Sequence, residues 1–211
     1  MTSQSDIFEA VPRVKTEERR QAVLDAAMRL FAEQGLGATT GTISRESGLS
    51  TGSLFNYFPS KTDLLNALYL HLKEDLAAAV WSTPFPDGAL RDRALEGWNR
   101  WTRWGADAPV KQRALMALET SPEITAATRS QGQNALQGLD KLFGQAHATG
   151  PLAQQPLEFV TGLVAALAVT TMQFMATEPA DRERRCRAGF ARLDASTVEE
   201  ARGQEAEEGP R

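Results

Sequence analysis

Cysteine is nearly missing from this chain of 211 residues: Cys186 stands alone, so no internal disulfide can form. Small secreted domains lean on such bridges, and their absence suits a reducing cytoplasm. Histidine occurs twice, as His71 and His147, and one thiol with two imidazoles gives no zinc-ligand cluster. No metal and no cofactor is expected. Both histidines read as surface or interface residues, and Cys186 as a partly buried thiol on a helix. Catalytic patterns are lacking too. There is no pair of carboxylates at catalytic spacing, no Ser/His/Asp order and no glycine-rich phosphate loop, which sets a helical enzyme aside. The N-terminus lacks the basic-then-apolar pattern of a signal peptide. One uncharged run, residues 159–177, approaches membrane-spanning length. Thr161, Thr170, Thr171 and Gln173 interrupt it and no second run accompanies it, so a buried helix is the better reading. The chain also lacks a basic excess, with a net charge of −4.

What remains is helix-forming. Hydrophobic residues make up 42% of the chain, and strand-type alternation is scarce. Residues 1–12 show no periodicity and read as a disordered arm. A helix is expected from Thr16, capped by its hydroxyl, with Glu17 and Glu18 at its positive end. Val23, Ala26, Ala27, Leu30 and Phe31 form one apolar face, and Gly35 ends it. A short helix follows over about residues 40–47. Then come the turn Gly48-Leu49-Ser50 and a third helix to about Tyr57, capped by Ser50 or Thr51 and stopped before Pro59. Ser60 caps a leucine-rich fourth helix, with Leu64, Leu65, Leu68, Leu72 and Leu76 inward. The Pro- and Gly-rich joint at residues 82–88 separates a first domain, 13–81, from a second, 82–195. Further helices are expected at 89–105, 110–120, 123–148, 157–176 and 180–193, punctuated by prolines. Residues 196–211 are acidic, lack apolar periodicity and read as a solvated tail.

Residues 40–57 read helix, glycine-bearing turn, helix, which is the helix-turn-helix plan. Ile43, Leu49, Leu54 and Phe58 supply the shared core, Ser44 is small at the crossing, and Gly48 permits the positive φ of the turn. Thr51, Gly52, Ser53, Phe55 and Asn56 face away from that core. A small, polar outer face suits a helix that enters a DNA groove. The helix N-terminus attracts phosphate, Asn56 matches an adenine edge, and Phe55 can meet a thymine methyl. Lys61 can reach a phosphate. From Arg13 to Lys61 seven Lys/Arg face five Asp/Glu, a balance that permits such a partner.

The stretch RRQAVLDAAMRLFAEQGLGATTGTISRESGLSTGSLFNYFPSKTDLLNAL resembles the N-terminal domain of the TetR family of transcriptional regulators over about residues 15–72. The resemblance implies an all-α homodimer. In it an N-terminal three-helix helix-turn-helix head is joined by a long helix to a C-terminal helical ligand-binding and dimerisation body. It implies that Thr39 and Thr40 contact phosphates, that Thr51, Gly52, Phe55 and Asn56 face bases, and that Ser53, Tyr57 and Lys61 hold the DNA backbone. Arg45 is added to the backbone contacts, and Arg13 and Lys15 to a flexible minor-groove arm. The family usually carries a tyrosine where Phe55 stands, and Gly41 and Thr40 also depart from its pattern. Specificity is therefore expected to lean on Asn56 and on DNA shape.

In the second domain Trp98, Trp101 and Trp104 recur at three-residue steps. They read as core packing or as the aromatic wall of an effector pocket, with Met116, Phe143 and Met172 as partners. Residues 157–176 are apolar nearly all round and need a cover, for which a partner subunit serves. The resemblance places a four-helix dimer interface there, with Phe159, Leu163, Ala166, Val169, Phe174, Cys186 and Phe190 as its contacts. The resulting expectation is a cytoplasmic, effector-released repressor on a palindromic operator. An activator or ligand-independent regulator of the same fold is the alternative. An interaction protein that turns its head toward another protein is the competing class.

Overall fold

The computed structural model describes residues 4–146, 152 and 154–193, and among them all regular structure is helical. The helices are α1 (Gln4–Gln34), α2 (Thr40–Glu46), α3 (Thr51–Tyr57), α4 (Lys61–Val80), α5 (Leu90–Asp107), α6 (Pro109–Glu119), α7 (Ala126–Ala146), α8 (Leu157–Thr177) and α9 (Arg182–Ala191). A short 3-10 turn, Pro179–Asp181, leads into α9. The all-α expectation holds. His147, most of the 148–153 connection and the acidic tail at 196–211 lie outside the described residues.

One boundary moves far. Residues 4–12, expected as a disordered arm, are helical, and Arg13 and Lys15 lie on α1 rather than on a flexible arm. The helix includes Pro12, whose missing N–H removes one hydrogen bond of the ladder there. Elsewhere caps set the ends. Thr125 Oγ1 accepts from Thr128 N at 3.1 Å, which starts α7 at Ala126 instead of 123. Ser60 Oγ accepts from Asp63 N at 3.1 Å and donates to Asp63 Oδ2 at 2.7 Å, a reciprocal cap for α4.

The chain folds as two compact units, and they interleave rather than divide at residues 82–88. Among the described residues, the first comprises those of 1–73 and 110–132, the second those of 74–109 and 133–211. In the first unit Val23, Leu24, Ala26, Ala27, Leu30 and Phe31 of α1 are buried with Ile43, Leu54, Phe58 and the α4 leucines 64, 65, 68 and 72. Each Val, Leu, Ile or Phe among them contributes about 1.5–3 kcal/mol by leaving water. The α6–α7 turn is bound into the same unit by the Asn66 amide. Its Nδ2 donates to Glu123 O at 2.8 Å and its Oδ1 accepts from Thr125 N at 3.0 Å. Tyr69 is fully buried and donates to Glu119, whose carboxylate also pairs with Lys73 and Arg129. Burial first, then the Glu119 charge, pushes the Tyr69 phenol far above its ordinary range and keeps it a neutral donor.

In the second unit α8 packs between α5 and α9. By length and composition α8 is apolar enough to cross a membrane, but Val160, Val164, Ala168, Thr171, Met172 and Met175 form a face buried in the unit. Gly189 of α9 permits the close approach. A methyl there would meet Thr171 and lie 2.8 Å from the Trp98 ring.

Candidate nucleic-acid interface

The helix-turn-helix is built by local chemistry. Thr39 Oγ1 accepts from Thr42 N at 3.1 Å and caps α2. At its other end Gly48 takes φ +72°, Gly48 N donates to Arg45 O at 3.2 Å, and Leu49 N donates to Ser44 O at 3.0 Å. This pair of bonds is the glycine-dependent ending that turns the chain sharply. Ser50, rather than Thr51, caps α3, accepting from Ser53 N at 3.2 Å. Phe58 N still bonds Leu54 O at 3.0 Å, and Pro59 then stops the helix.

Ile43, Leu54 and Phe58 are buried, as expected, and Leu49 is half-buried. The Arg20 guanidinium lies 5.4 Å from the centre of the Phe58 ring. Nothing in the local sequence marked that contact, because it joins α1 to the end of α3 across the fold. Ser44 is 3% exposed, and its hydroxyl has no hydrogen-bond partner. Ser44→Ala removes a desolvated, unpaired group and improves helix propensity. It should raise the unfolding free energy by about 1 kcal/mol, read by urea denaturation of the full chain.

The outward face of α3 carries the residues expected there. Thr51, Gly52 and Asn56 are exposed, and Phe55 is 40% exposed, a high value for a phenyl ring. Neither the Thr51 hydroxyl nor the Asn56 amide hydrogen-bonds to another described residue. A side chain at Gly52 would meet nothing within 4 Å, so no contact within the fold requires a glycine there. Ser53 and Tyr57 are half-buried at the flanks. On α2, Thr39 and Arg45 are exposed and Thr40 is half-buried. Gly41 is also open, with only Thr39 Oγ1 near its would-be methyl, at 3.8 Å. Lys61, expected to hold the DNA backbone, is the first residue of α4. Its Nζ donates to Leu36 O at 2.6 Å and is partly buried.

Of the residues expected to form an effector pocket, the structure brings Trp101 and Phe143 together. Trp98 is fully buried, with Nε1 donating to Cys186 O at 3.0 Å and its ring 6.3 Å from Phe190. Trp104 is buried and donates to Asp75 Oδ2 at 2.7 Å, and Trp101 is half-buried with its ring 6.2 Å from Phe143. Six residues along a helix leave Trp98 and Trp104 about 120° apart around its axis, at opposite edges of the buried face. Phe143 and Met172 are buried core residues, and Met116 is exposed and belongs to the first unit. The second unit does hold a groove of about 630 Å³, lined by Leu95, Asn99, Arg103, Met175, Arg182 and Cys186 among others, and none of the six residues lines it.

The expected dimer contacts divide in two. Phe159, Leu163 and Phe174 are large apolar side chains left 40–51% exposed, Ala166 is exposed beside them, and Val169 is half-buried. Cys186 and Phe190 are buried inside the unit and are not available to a partner. The Cys186 thiol donates to Asn99 Oδ1 at 3.1 Å, and Phe190 packs on Trp98, because that face of α9 is the one turned to α5 and α8. Among the described residues no group of three His, Cys, Asp or Glu side chains could hold a metal.

A family model described as bacterial regulatory proteins, tetR family, matches residues 23–68, from the core of α1 to α4. The nucleoid occlusion factor SlmA of Haemophilus influenzae (Rd) is 34% identical over 88 residues, 37% of this chain and 40% of that protein, so less than half of this relative's length is matched. A tetR family transcription regulator of Shewanella sp. PV-4 superposes with a TM-score of 0.72 at 31% identity, over 83% of this chain and 95% of its own. The regulator LfrR of Mycobacterium smegmatis, solved in complex with proflavine, shares the fold, with a TM-score of 0.62 at 20% identity over 83% and 95% of the two chains.

Proposed function

Because this chain belongs to the tetR family of bacterial regulatory proteins and is a DNA-binding transcriptional regulator, we propose that it is a cytoplasmic, homodimeric repressor released from a palindromic operator by a small molecule. The observation that carries the DNA-reading role is the outward face of α3. Thr51, Gly52, Phe55 and Asn56 stand exposed, and the fold gives their side chains no hydrogen-bonding task. These four read bases, while Thr39, Thr40, Arg45, Ser53 and Tyr57 contact the DNA backbone. The polar end of α3 and the exposed, unpaired Arg45 suit phosphate.

The exposed apolar stripe of α8, Phe159, Leu163, Ala166 and Phe174, supports a two-fold interface, since a patch of this kind is costly to leave in water. Two heads on such an axis read half-sites roughly 34–36 Å apart. For the effector, the groove beside Asn99, Arg103 and Cys186 has the volume of a small-molecule site. The relative LfrR, with the same fold, is solved in complex with proflavine. α4 runs through both compact units, so a change in the second has a covalent path to the first. An effector then lowers the population of the DNA-competent state by as much as its own affinity differs between states.

Selection of bound DNA from a random pool by the full chain tests this. A palindrome with half-sites one helical turn apart is expected, and binding that is insensitive to salt would instead favour a head that docks on protein. Asn56→Ala should relax preference at one base pair per half-site, by about 1–3 kcal/mol of discrimination, leaving other positions unchanged. A uniform loss across all operator variants would remove Asn56 from base reading.

A further inference from the structure

The groove of about 630 Å³ in the second unit lies between one stripe of α5 and the first turns of α9. Leu95, Asn99, Arg103 and Asp107 follow one another along α5 at four-residue steps, the spacing of neighbours on a helix surface. Arg182, Glu183, Cys186 and Arg187 face them from α9. Met175 and Pro179 close the end. Which ligand chemistry such a lining accepts depends on which of its polar groups the fold has already used.

The acidic lining is already answered. Asp107 Oδ1 accepts from Arg182 Nη1 at 2.7 Å. Arg182 is itself fully engaged, with Nε donating to Met175 O at 2.9 Å and Nη2 to Ala106 O at 3.2 Å. Glu183 and Arg187 form a loose pair at 3.8 Å, both more than 70% exposed, where water screens them. The Cys186 thiol fixes the Asn99 amide. It donates to Asn99 Oδ1 at 3.1 Å, while Thr102, 3.3 Å from the same sulfur, gives its own hydrogen to Trp98 O at 2.8 Å. The Asn99 carbonyl is thereby held toward Cys186, and its NH2 has no partner among the described residues. Arg103, one turn further along the stripe, is exposed, and its guanidinium makes no hydrogen bond or ion pair within the described residues. Three arginines against two carboxylates leave the lining one positive charge in excess, and Arg103 carries it.

We propose that this groove takes an organic acid, whose carboxylate accepts from the Arg103 guanidinium and the Asn99 NH2 while its apolar body lies on Leu95, Met175 and Pro179. A planar fork of donors matches a carboxylate, and the neighbouring amide adds a further donor. A cation would find both nearby acceptors, Asp107 and Asn99 Oδ1, already bonded. The proposal rests on the reading of this groove as the effector site and supplies the chemical class of the effector. Calorimetric titration of the full-length protein tests it. The probes are benzoate, 2-naphthoate and octanoate, each beside its neutral amide, and 2-naphthylmethylammonium as a cation with the same aromatic body.

At least one acid should bind, about tenfold or more tightly than its amide, the worth of a hydrogen bond to a charged group. In Arg103→Met that preference should vanish, with the acid falling to the level of the amide. Urea unfolding should stay at the wild-type midpoint, because the position is exposed. Arg103→Lys keeps the charge without the fork and should fall between the two. Binding of no acid, equal binding of acid and amide, tighter binding of the cation, or an acid preference that survives in Arg103→Met each overturns the proposal. Operator affinity, followed by fluorescence anisotropy with selected DNA, keeps the underlying reading separate. An acid that binds through Arg103 and leaves operator affinity unchanged ends the effector-release reading while the ligand class stands. Release by a probe indifferent to Arg103 does the reverse.

Discussion

Gly52→Glu should cost operator affinity about a hundredfold or more while leaving the fold as stable as before. The position is exposed, and a new side chain meets no protein atom within 4 Å. A carboxylate in the first turn of α3 is welcome to the helix, since it lies near the free N–H groups, and any side chain restricts the unfolded chain more than glycine does. On DNA the same carboxylate meets phosphates and base edges rich in acceptors. Like charges brought together at an interface cost several kcal/mol, and each 1.4 kcal/mol is a factor of ten. Gly52→Ala is the companion variant. It should stabilise the free protein by about 0.5–1 kcal/mol and weaken binding only as far as a methyl group obstructs close approach. Binding by fluorescence anisotropy and stability by urea unfolding separate the effects. Retained operator affinity in Gly52→Glu would take α3 out of the groove.

The head was legible because its signals are local. A capping hydroxyl, a glycine with positive φ and a proline stop act within four or five residues of where they stand, and α2 and α3 begin and end where those signals put them. The outward face of α3 was legible by subtraction, since Ile43, Leu54 and Phe58 account for the core and leave Thr51, Gly52, Phe55 and Asn56 over. What resisted reading depends on distant partners. Asn66 is one polar residue among many on α4, yet its amide binds both Glu123 O and Thr125 N, 57 and 59 residues away, and draws the α6–α7 turn into the first unit. No periodicity announces such a clamp. A break in composition at residues 82–88 marks a loop, but compactness follows contacts, and these cross the loop.

The α8 and α9 residues show the same limit in another form. An all-round apolar helix has to be covered, but the pattern does not say by what. Phe159, Leu163 and Phe174 are left outward, while Val160, Val164 and Met172 are covered within the chain. On α9 the sequence RRCRAGFARL presents arginines on most sides, so the single face bearing Cys186 and Phe190 is the only one apolar enough to bury. It is used within the unit rather than between subunits.

The largest stability effect is expected at Trp98. Its ring is wholly inaccessible, sits against Phe190 and the Gly189 backbone, and donates its N–H to Cys186 O. Thr102 and Cys186 continue the contact, their Oγ1 and Sγ 3.3 Å apart. Truncating a buried tryptophan to alanine removes its transfer free energy and leaves a cavity, about 3–5 kcal/mol together, out of roughly 5–15 kcal/mol for a whole domain. The Cys186 carbonyl also loses its donor. Trp98→Ala should therefore unfold at much lower urea concentration, by circular dichroism, and accumulate poorly in the soluble fraction. Trp98→Phe keeps most of the volume and loses the N–H, so about 1 kcal/mol or more is expected, in a protein stable enough to measure. Trp101→Ala, at a half-buried site, should cost clearly less than Trp98→Ala. A pocket-wall tryptophan would behave in the opposite way, with stability little changed and ligand binding altered. Loss of less than about 1 kcal/mol in Trp98→Ala would return it to that role.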